Sequence, residues 1–182
     1  MIKINLGCGL DYKKGWINVD YNKDIKADVY CDINKRLPFH TDYADVVLMD
    51  NVLEHVDDIF KVMEEIHRIC KNKGKVIIYV PHYSSPNALK LPYHTFYFGI
   101  SSMDFIKYGA GMNKTYKKLN FIVEEERLSL FQRNYYQKGM GFISNLNFFN
   151  FIFNFGKLWK LLMERLWIFG FDEIKYTLEA KK

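Results

Sequence analysis

The stretch Asn5-Leu6-Gly7-Cys8-Gly9, which follows the short apolar run Ile2-Lys3-Ile4, decides the fold. The apolar run predicts a buried parallel strand that ends on a glycine turn, since glycine adopts the backbone angles of such a turn without steric cost. Eleven residues after Gly9, a second apolar run, residues 16–19, ends at Asp20. A carboxylate at the end of the second strand is the means by which nucleotide-type sites hold a ribose.

The spacing after the glycines distinguishes between two kinds of cofactor. A dinucleotide site needs a helix that opens at the glycine turn, because its amino end neutralises the pyrophosphate, and a third small residue for close helix packing. Residues 10–15 leave room for about one or two helical turns, and Tyr12 stands where the third glycine would be. We therefore expect a truncated first crossover and a cofactor without phosphates, such as S-adenosylmethionine.

Further motifs follow in a fixed order along the chain. Residues 28–33 predict a third strand that ends near Asp32, the turn Arg36-Leu37-Pro38-Phe39 follows, and residues 44–56 combine a fourth strand with a Leu-Glu-His segment. Over residues 1–82 this ordered set resembles the class I S-adenosylmethionine-dependent methyltransferases. The resemblance implies a Rossmann-like α/β fold.

The resemblance also implies roles for individual residues at the cofactor site. Where many relatives carry an acidic residue two places before the first glycine, this chain has Asn5, which can accept a hydrogen bond but brings no charge. The implied cofactor-binding set is Asn5, Gly7, Cys8 and Gly9 in the turn, Asp20 at the ribose, Asp32 and Ile33 at the adenine, and Asp50 with Asn51 near the methionine portion.

The rest of the chain predicts one domain over residues 1–182, with a cofactor core in residues 1–82 and acceptor-side elements in residues 83–182. We expect a mostly parallel seven-stranded sheet with helices on both faces and an antiparallel last strand at or near the edge. Apolar spacing predicts a helix from Asp58 to Lys73 that stops at Gly74. The remaining predicted elements are a fifth strand over 75–80, a loop over 81–100, a helix from 101 or 102 to about 108, a strand over 121–131 and a last strand over 172–179.

Charge and cysteine content bound the partners and the compartment. The net charge is +5, and the whole excess lies in residues 101–182, with 13 basic and 8 acidic side chains. This imbalance is typical of a solvated lysine-rich surface, and alternatively of an anionic acceptor near the second half; no compact arginine stripe favours nucleic acid. Three cysteines without metal-ligand spacing and a strand at the start of the chain predict reduced thiols and a cytoplasmic protein.

Residues 141–156 carry no charge and include six phenylalanines, and an amphipathic stretch over 157–167 follows. Four asparagines interrupt the run, which argues against a helix that spans a membrane. Two interpretations stay open: a helix that covers the sheet or forms a homodimer contact, or an interfacial helix for peripheral membrane contact or a lipid-linked acceptor.

Methyl transfer to an oxygen acceptor benefits from a base, and histidine suits neutral pH. His55 follows the fourth strand, His82 follows the fifth, and His94 resembles a histidine of sugar-related members of the group. We predict His55 and His94 as the catalytic pair. Asn51 stands where quinone-type relatives carry a metal-binding glutamate, so no metal is predicted, and Glu54 is expected to cap or pair locally.

These features predict an S-adenosylmethionine-dependent methyltransferase that acts on a small-molecule or glycan acceptor and releases S-adenosylhomocysteine. Two other classes stay open. A non-catalytic module of the same fold would bind the cofactor without turnover, and a nicotinamide oxidoreductase would need the dinucleotide site that the spacing disfavours.

Overall fold

The structure is a computed structural model that describes residues 1–104, 106, 119–129, 154–166 and 170–182. Its described helices are α1 (Ile59–Ile69), α2 (Pro86–Lys90) and α3 (Lys157–Leu166), and a 3₁₀ turn covers Leu53–His55. Its strands are β1 (Lys3–Leu6), β2 (Ile17–Asp20), β3 (Val29–Tyr30), β4 (Ala44–Asp50), β5 (Cys70–Pro81), β6 (Phe121–Ser129) and β7 (Glu173–Ala180).

All seven strands form one sheet in the order β3-β2-β1-β4-β5-β7-β6. The five strands from β3 to β5 run parallel, whereas β7 is antiparallel to both β5 and β6. The predicted seven-stranded, mostly parallel sheet with an antiparallel last strand is confirmed. The last strand lies one place in from the edge, because β6 returns to pair outside it.

No helix lies between β1 and β2, where residues 7–16 form only turns. The predicted truncation of the first crossover is therefore confirmed. The core centres on β1, β4 and β5, whose apolar residues pair in register and are buried, as at Leu6 beside Met49 and Met49 beside Ile78. The carboxyl ends of the parallel strands thus meet at one edge of the sheet, which is where such folds bind ligands.

Helix α1 begins where the sequence predicts and ends earlier. The Asp58 side chain caps it by accepting hydrogen bonds from the amides of Phe60 and Lys61. The predicted end at Lys73 is wrong, because the buried Cys70 already pairs with Ala44 and opens β5. Lys73, with φ at 63°, then lies at an irregularity near the start of that strand rather than in the helix.

Other predicted boundaries also differ from the structure. The third strand is only Val29–Tyr30, and the loop over 81–100 contains the short helix α2, which Ser85 caps by accepting from the Asn87 amide. Strand β6 covers the described part of its predicted range, Phe121–Ser129, and residues 130–131 lie outside the described residues. Residues 105, 107 and 108 of the predicted helix over 101–108, and residues 141–153 of the phenylalanine-rich segment, lie outside the described residues.

Helix α3 has the amphipathic character that the sequence predicts. Leu161 and Met163 pack against the core, whereas Leu158 and Leu162 are exposed. Among the described residues, we find no helix that is both long enough and apolar enough to cross a membrane.

Candidate active site

The glycine turn at the end of β1 has two different environments. Gly7 and Gly9 have φ of 63° and 49°, in the left-handed region that disfavours side chains. A Cβ atom built on Gly7 would lie 2.5 Å from Cγ2 of Val52, so this glycine lets the turn pack against the segment after β4. A Cβ atom on Gly9 would meet no atom within 4 Å. The turn therefore has open space on the Gly9 side, where a ligand could approach its backbone.

Asp20, at the end of β2, lies directly against this turn. Its Oδ2 atom accepts a 2.8 Å hydrogen bond from the Gly9 amide, and its Oδ1 atom accepts one of 2.9 Å from the Asn22 amide. The side chain is buried. Because a carboxylate has about four acceptor positions, two of them stay available for donors such as ribose hydroxyls.

Asn18 organises the connection between β1 and β2 in place of a crossover helix. Its Oδ1 atom accepts from the Lys13 amide, and its Nδ2 atom donates to the Lys13 carbonyl and to Asp28 Oδ2. The Asn18 amide also donates to Asp28 Oδ2 at 2.7 Å. These two bonds from Asn18, followed by one from Tyr12, hold the pKa of Asp28 below its usual value.

Asn5, a predicted cofactor ligand, takes part in the same connection. Its Nδ2 atom donates to the Asp11 carbonyl at 3.0 Å and to Asn18 Oδ1 at 3.1 Å. Both amide hydrogens are thus used inside the protein. Any contact of Asn5 with a cofactor would fall to its Oδ1 atom.

The other predicted cofactor residues lie along the same sheet edge. Asp32 and Ile33 follow β3, and the Asp32 Oδ1 atom accepts from the Asn34 amide at 2.9 Å. Asn51, just after β4, has φ of 54° and donates from Nδ2 to Asp50 Oδ1 at 2.9 Å. The structure brings these residues to the edge that holds Gly7, Cys8, Gly9 and Asp20, and their roles toward a cofactor stay predictions.

The two predicted catalytic histidines lie against each other. The ring centroids of His55 and His94 are 4.6 Å apart in an edge-to-face arrangement. The amide of Thr95 donates to the Glu54 carbonyl at 2.8 Å, which ties the loop of His94 to the 3₁₀ turn of His55. Two segments about 40 residues apart in sequence therefore form one cluster.

Glu54 is the residue at this cluster that sequence reasoning missed. Its side chain is 1% exposed, and neither carboxylate oxygen has a hydrogen-bond partner among the described residues. The expectation that Glu54 caps or pairs locally is therefore wrong. Burial, with a contribution from Asp50, raises the pKa of Glu54 to about 8. Burial followed by the proximity of His94 lowers the pKa of His55.

His82, the third histidine that the sequence singles out, has a structural role. Its Nδ1 atom accepts from the Ser84 amide at 3.2 Å, which leaves the proton on Nε2 for a 2.9 Å hydrogen bond to Glu164 Oε1. The same oxygen accepts from the Ile100 amide at 2.7 Å. His82 thus joins the end of β5 to helix α3, and both of its ring nitrogens are occupied.

Three features together define a class of protein. They are a mostly parallel sheet with a glycine turn after β1, a carboxylate at the end of β2, and the absence of a helix between β1 and β2 that could bind a pyrophosphate. The chain has the fold of the class I S-adenosylmethionine-dependent methyltransferases. Comparison with known proteins agrees, because residues 6–78 match the family described as a methyltransferase domain.

Individual relatives have the same fold at low sequence identity. A chain of the complex between the Haloferax volcanii Trm112 methyltransferase activator and a methyltransferase superposes with a TM-score of 0.61 at 16% identity, over 100% of this chain and 83% of that one. An S-adenosylmethionine-dependent methyltransferase from Archaeoglobus fulgidus gives 0.57 at 18% identity, over 97% and 85%. One from Mesorhizobium loti gives 0.59 at 12%, over 98% and 90%.

A curated relative is similar in sequence over a shorter range. An uncharacterised protein of Methanocaldococcus jannaschii is 35% identical over 89 residues, which cover 42% of this chain. The match spans 39% of the length of that relative.

Proposed function

We propose that the protein transfers a methyl group from S-adenosylmethionine to a small-molecule or glycan acceptor, at an oxygen atom, and releases S-adenosylhomocysteine. The observation that carries the proposal is the hydrogen bond between the Gly9 amide and Asp20 Oδ2 at the ends of two adjacent parallel strands. It places a carboxylate beside a glycine turn with open space above it. A bound ribose requires such a carboxylate, and a ligand that contacts the backbone of the glycine turn requires such open space.

The residues of the chain fit this cofactor at several points. Asp20 would accept from the ribose hydroxyls, the open side of Gly9 would admit the ligand to the backbone, and Asp50 lies at the end of the adjacent strand β4. When bound, the cofactor supplies the methyl group as an electrophile. The protein then has to hold the acceptor atom about 3 Å from the methyl carbon and exclude competing water.

His55 and His94 are the residues that we assign to the acceptor. Their rings adjoin Tyr93, whose ring centroid lies 5.6 Å from that of His55. The His94 Nδ1 atom lies 2.8 Å from the Ala88 carbonyl oxygen. Because a carbonyl has no proton, Nδ1 carries the hydrogen and Nε2 presents its lone pair. A lone pair held in a fixed direction suits an imidazole that orients an acceptor hydroxyl and receives its proton.

Cofactor binding and turnover distinguish the proposed methyltransferase from a nicotinamide oxidoreductase and from a non-catalytic module. The residues between β1 and β2 form no helix, which disfavours the pyrophosphate of a nicotinamide cofactor. A non-catalytic module of this fold would bind S-adenosylhomocysteine and transfer nothing.

Four other expectations from the sequence stay predictions: a cytoplasmic location, an anionic or lipid-linked acceptor, a homodimer and peripheral membrane contact. One structural neighbour forms a complex with an activator protein, so a protein partner for this chain is a further proposal.

Two measurements test the proposal. Calorimetry should detect S-adenosylhomocysteine binding and no NAD binding, and incubation with methyl-labelled S-adenosylmethionine and fractionated cell extract should yield a labelled small molecule or glycan. Binding of NAD instead of S-adenosylhomocysteine would contradict the cofactor assignment. Cofactor binding without labelled product in any fraction would favour the non-catalytic module.

A further inference from the structure

The cluster of Glu54, His55 and His94 has the composition of a metal site. Each side chain offers one donor atom, and these atoms all lie within 4.8 Å of one another. Glu54 and His55 come from the 3₁₀ turn after β4, and His94 comes from the loop after α2. The backbone bond from Thr95 to the Glu54 carbonyl holds the two segments together without any ligand.

Glu54 is the residue of this cluster whose negative charge needs a cation to compensate it. A buried carboxylate without a hydrogen-bond partner is costly unless a positive charge or a proton compensates it. Neither Oε atom of Glu54 has a hydrogen-bond partner within the described parts of the chain, lysine and arginine nitrogens included. The orphaned oxygens lie beside the two imidazoles rather than beside solvent.

His94 has the second feature of a metal ligand. Histidines that bind metals usually donate from their other ring nitrogen to a carbonyl or carboxylate, which fixes the ring and the tautomer. The hydrogen bond from His94 Nδ1 to the Ala88 carbonyl, at 2.8 Å, has this form. It leaves the Nε2 lone pair available in a ring that is itself buried.

We infer that Glu54, His55 and His94 bind one divalent first-row transition metal ion, for which zinc is the best match. One carboxylate and two imidazoles are the ligands of catalytic zinc sites, and two nitrogen donors disfavour magnesium and calcium, which take oxygen ligands. Donor atoms around tetrahedral zinc lie about 3.4 Å apart, given bonds of about 2.1 Å. The donor atoms, which lie within 4.8 Å of one another, therefore have to approach by up to roughly 1.4 Å on binding, a movement within the range of small rotamer adjustments.

The role of the ion deepens the proposed function and rests on it. Three protein ligands leave at least one coordination position open, and an oxygen donor of the acceptor would fill it. Because the Nε2 lone pair of His94 would then be used in the bond to the ion, the ion would take over the task of the imidazole: its positive charge would orient this oxygen and favour its ionised form. The sequence predicts no metal because Asn51 replaces a glutamate, but the third ligand here is His94, about 40 residues further along the chain.

Zinc chloride titration of tag-free, EDTA-treated protein tests the inference by calorimetry. We expect one zinc ion per chain. Glu54→Gln removes the charge and keeps the shape, and His94→Asn keeps a donor for the Ala88 carbonyl while it removes Nε2. Each should weaken zinc binding by about 100-fold or more, since each removes a direct ligand. His40→Gln, at an exposed histidine away from the cluster, is the matched control and should bind zinc as the wild type does.

Two results would overturn the inference: no zinc binding by the folded wild type, or binding that Glu54→Gln and His94→Asn leave unchanged. Circular dichroism of each variant without zinc establishes that it is folded, and either variant alone is sufficient if the other does not fold. S-adenosylhomocysteine titration of the same samples separates this inference from the proposed function. Cofactor binding without zinc binding removes only the metal site, and zinc binding without cofactor binding removes only the methyltransferase assignment.

Discussion

The Gly9 amide donates a hydrogen bond of 2.8 Å to Asp20 Oδ2, and this bond joins the glycine turn of β1 to the end of β2. A second amide, that of Asn22, donates to the other oxygen of the same carboxylate. Asp20 therefore shapes the turn before any cofactor binds. Its two tasks, support of the backbone and contact with a ribose, have to be separated by experiment.

Asp20→Asn should weaken S-adenosylhomocysteine binding by about tenfold or more, because it removes the charge from a hydrogen bond worth roughly 1.5–3 kcal/mol. Asp20→Ala should weaken binding and lower the melting temperature more than Asp20→Asn does, since both backbone amides lose their acceptor in Asp20→Ala and only one of them in Asp20→Asn. Calorimetric titration and thermal melts measure both effects. Asp24→Asn removes an equal charge at an exposed residue and should change neither. Unchanged affinity in folded Asp20→Asn would contradict the ribose assignment.

Gly7 and Gly9 should respond differently to substitution by alanine. Both have positive φ, so each alanine incurs backbone strain of about 1–2 kcal/mol. Only Gly7→Ala also forces a Cβ against Val52, at 2.5 Å. We expect Gly7→Ala to lose clearly more stability than Gly9→Ala in urea unfolding.

A double-mutant cycle tests the reason for this difference. Val52→Ala removes both Cγ atoms that the new Cβ would meet, so it should recover part of the stability lost in Gly7→Ala. The strain of the positive φ would remain. Additive effects of Gly7→Ala and Val52→Ala would mean that the close approach plays no part.

Asn18→Ala should destabilise the protein by about 1–3 kcal/mol, because it leaves the Lys13 amide without its acceptor and removes the Nδ2 hydrogen bonds to the Lys13 carbonyl and to Asp28 Oδ2. Since this network positions the turn, cofactor affinity should fall as well. Urea unfolding gives the loss of stability. Asn120→Ala, at an exposed asparagine, is the control and should be close to neutral. Equal stability of the two variants would mean that the network does not replace the crossover helix.

The sequence predicts the fold well where local pattern and burial agree. The apolar runs of the sequence form β1, β2, β4 and β5, which are parallel strands in the middle of the sheet. Each apolar run therefore indicates a strand in the interior of the sheet. The predicted ends of helices and strands were wrong where tertiary contacts override the local sequence pattern. The apolar spacing of α1 continues through Cys70, yet pairing of Cys70 with Ala44 ends the helix, and no local pattern indicates that pairing.

The candidate site was only partly predictable for a similar reason. Glycines and strand-end carboxylates have a fixed spacing, so Gly9 and Asp20 can be read from the chain. Glu54 has no such signal, because its burial depends on a loop about 40 residues away that packs over it. The state of the His94 ring likewise depends on the Ala88 carbonyl, which lies in a helix that the sequence did not predict.

The three thiols should react with iodoacetamide in an order set by exposure and pKa. Burial raises the pKa of Cys70 to about 12, burial followed by Asp20 raises that of Cys8, and burial followed by Asp32 raises that of Cys31. Cys31 alone is not fully buried. We expect Cys31 to be labelled first and faster as pH rises, since the thiolate reacts, and Cys70 only after unfolding.

Peptide mass spectrometry measures this order, and S-adenosylhomocysteine should slow the labelling of Cys31 because Asp32 and Ile33 are assigned to the adenine. Glucose at the same concentration is the control ligand and should give no protection. Labelling of Cys70 in the native protein as fast as that of Cys31 would contradict the order. Labelling of Cys31 that S-adenosylhomocysteine does not slow would contradict the adenine assignment.

Two variants distinguish a structural role of His94, as an anchor of its loop through Nδ1, from a chemical role of its Nε2 atom. His94→Asn keeps a donor near the position of Nδ1 for the Ala88 carbonyl, whereas His94→Ala removes both nitrogens. If Nε2 contacts the acceptor, both variants should lose about 10²- to 10⁴-fold in turnover, with S-adenosylhomocysteine affinity unchanged. Only His94→Ala should also lower the melting temperature. Normal turnover in His94→Asn, together with a destabilised His94→Ala, would make His94 an anchor of the loop to α2 and would remove it from the chemistry.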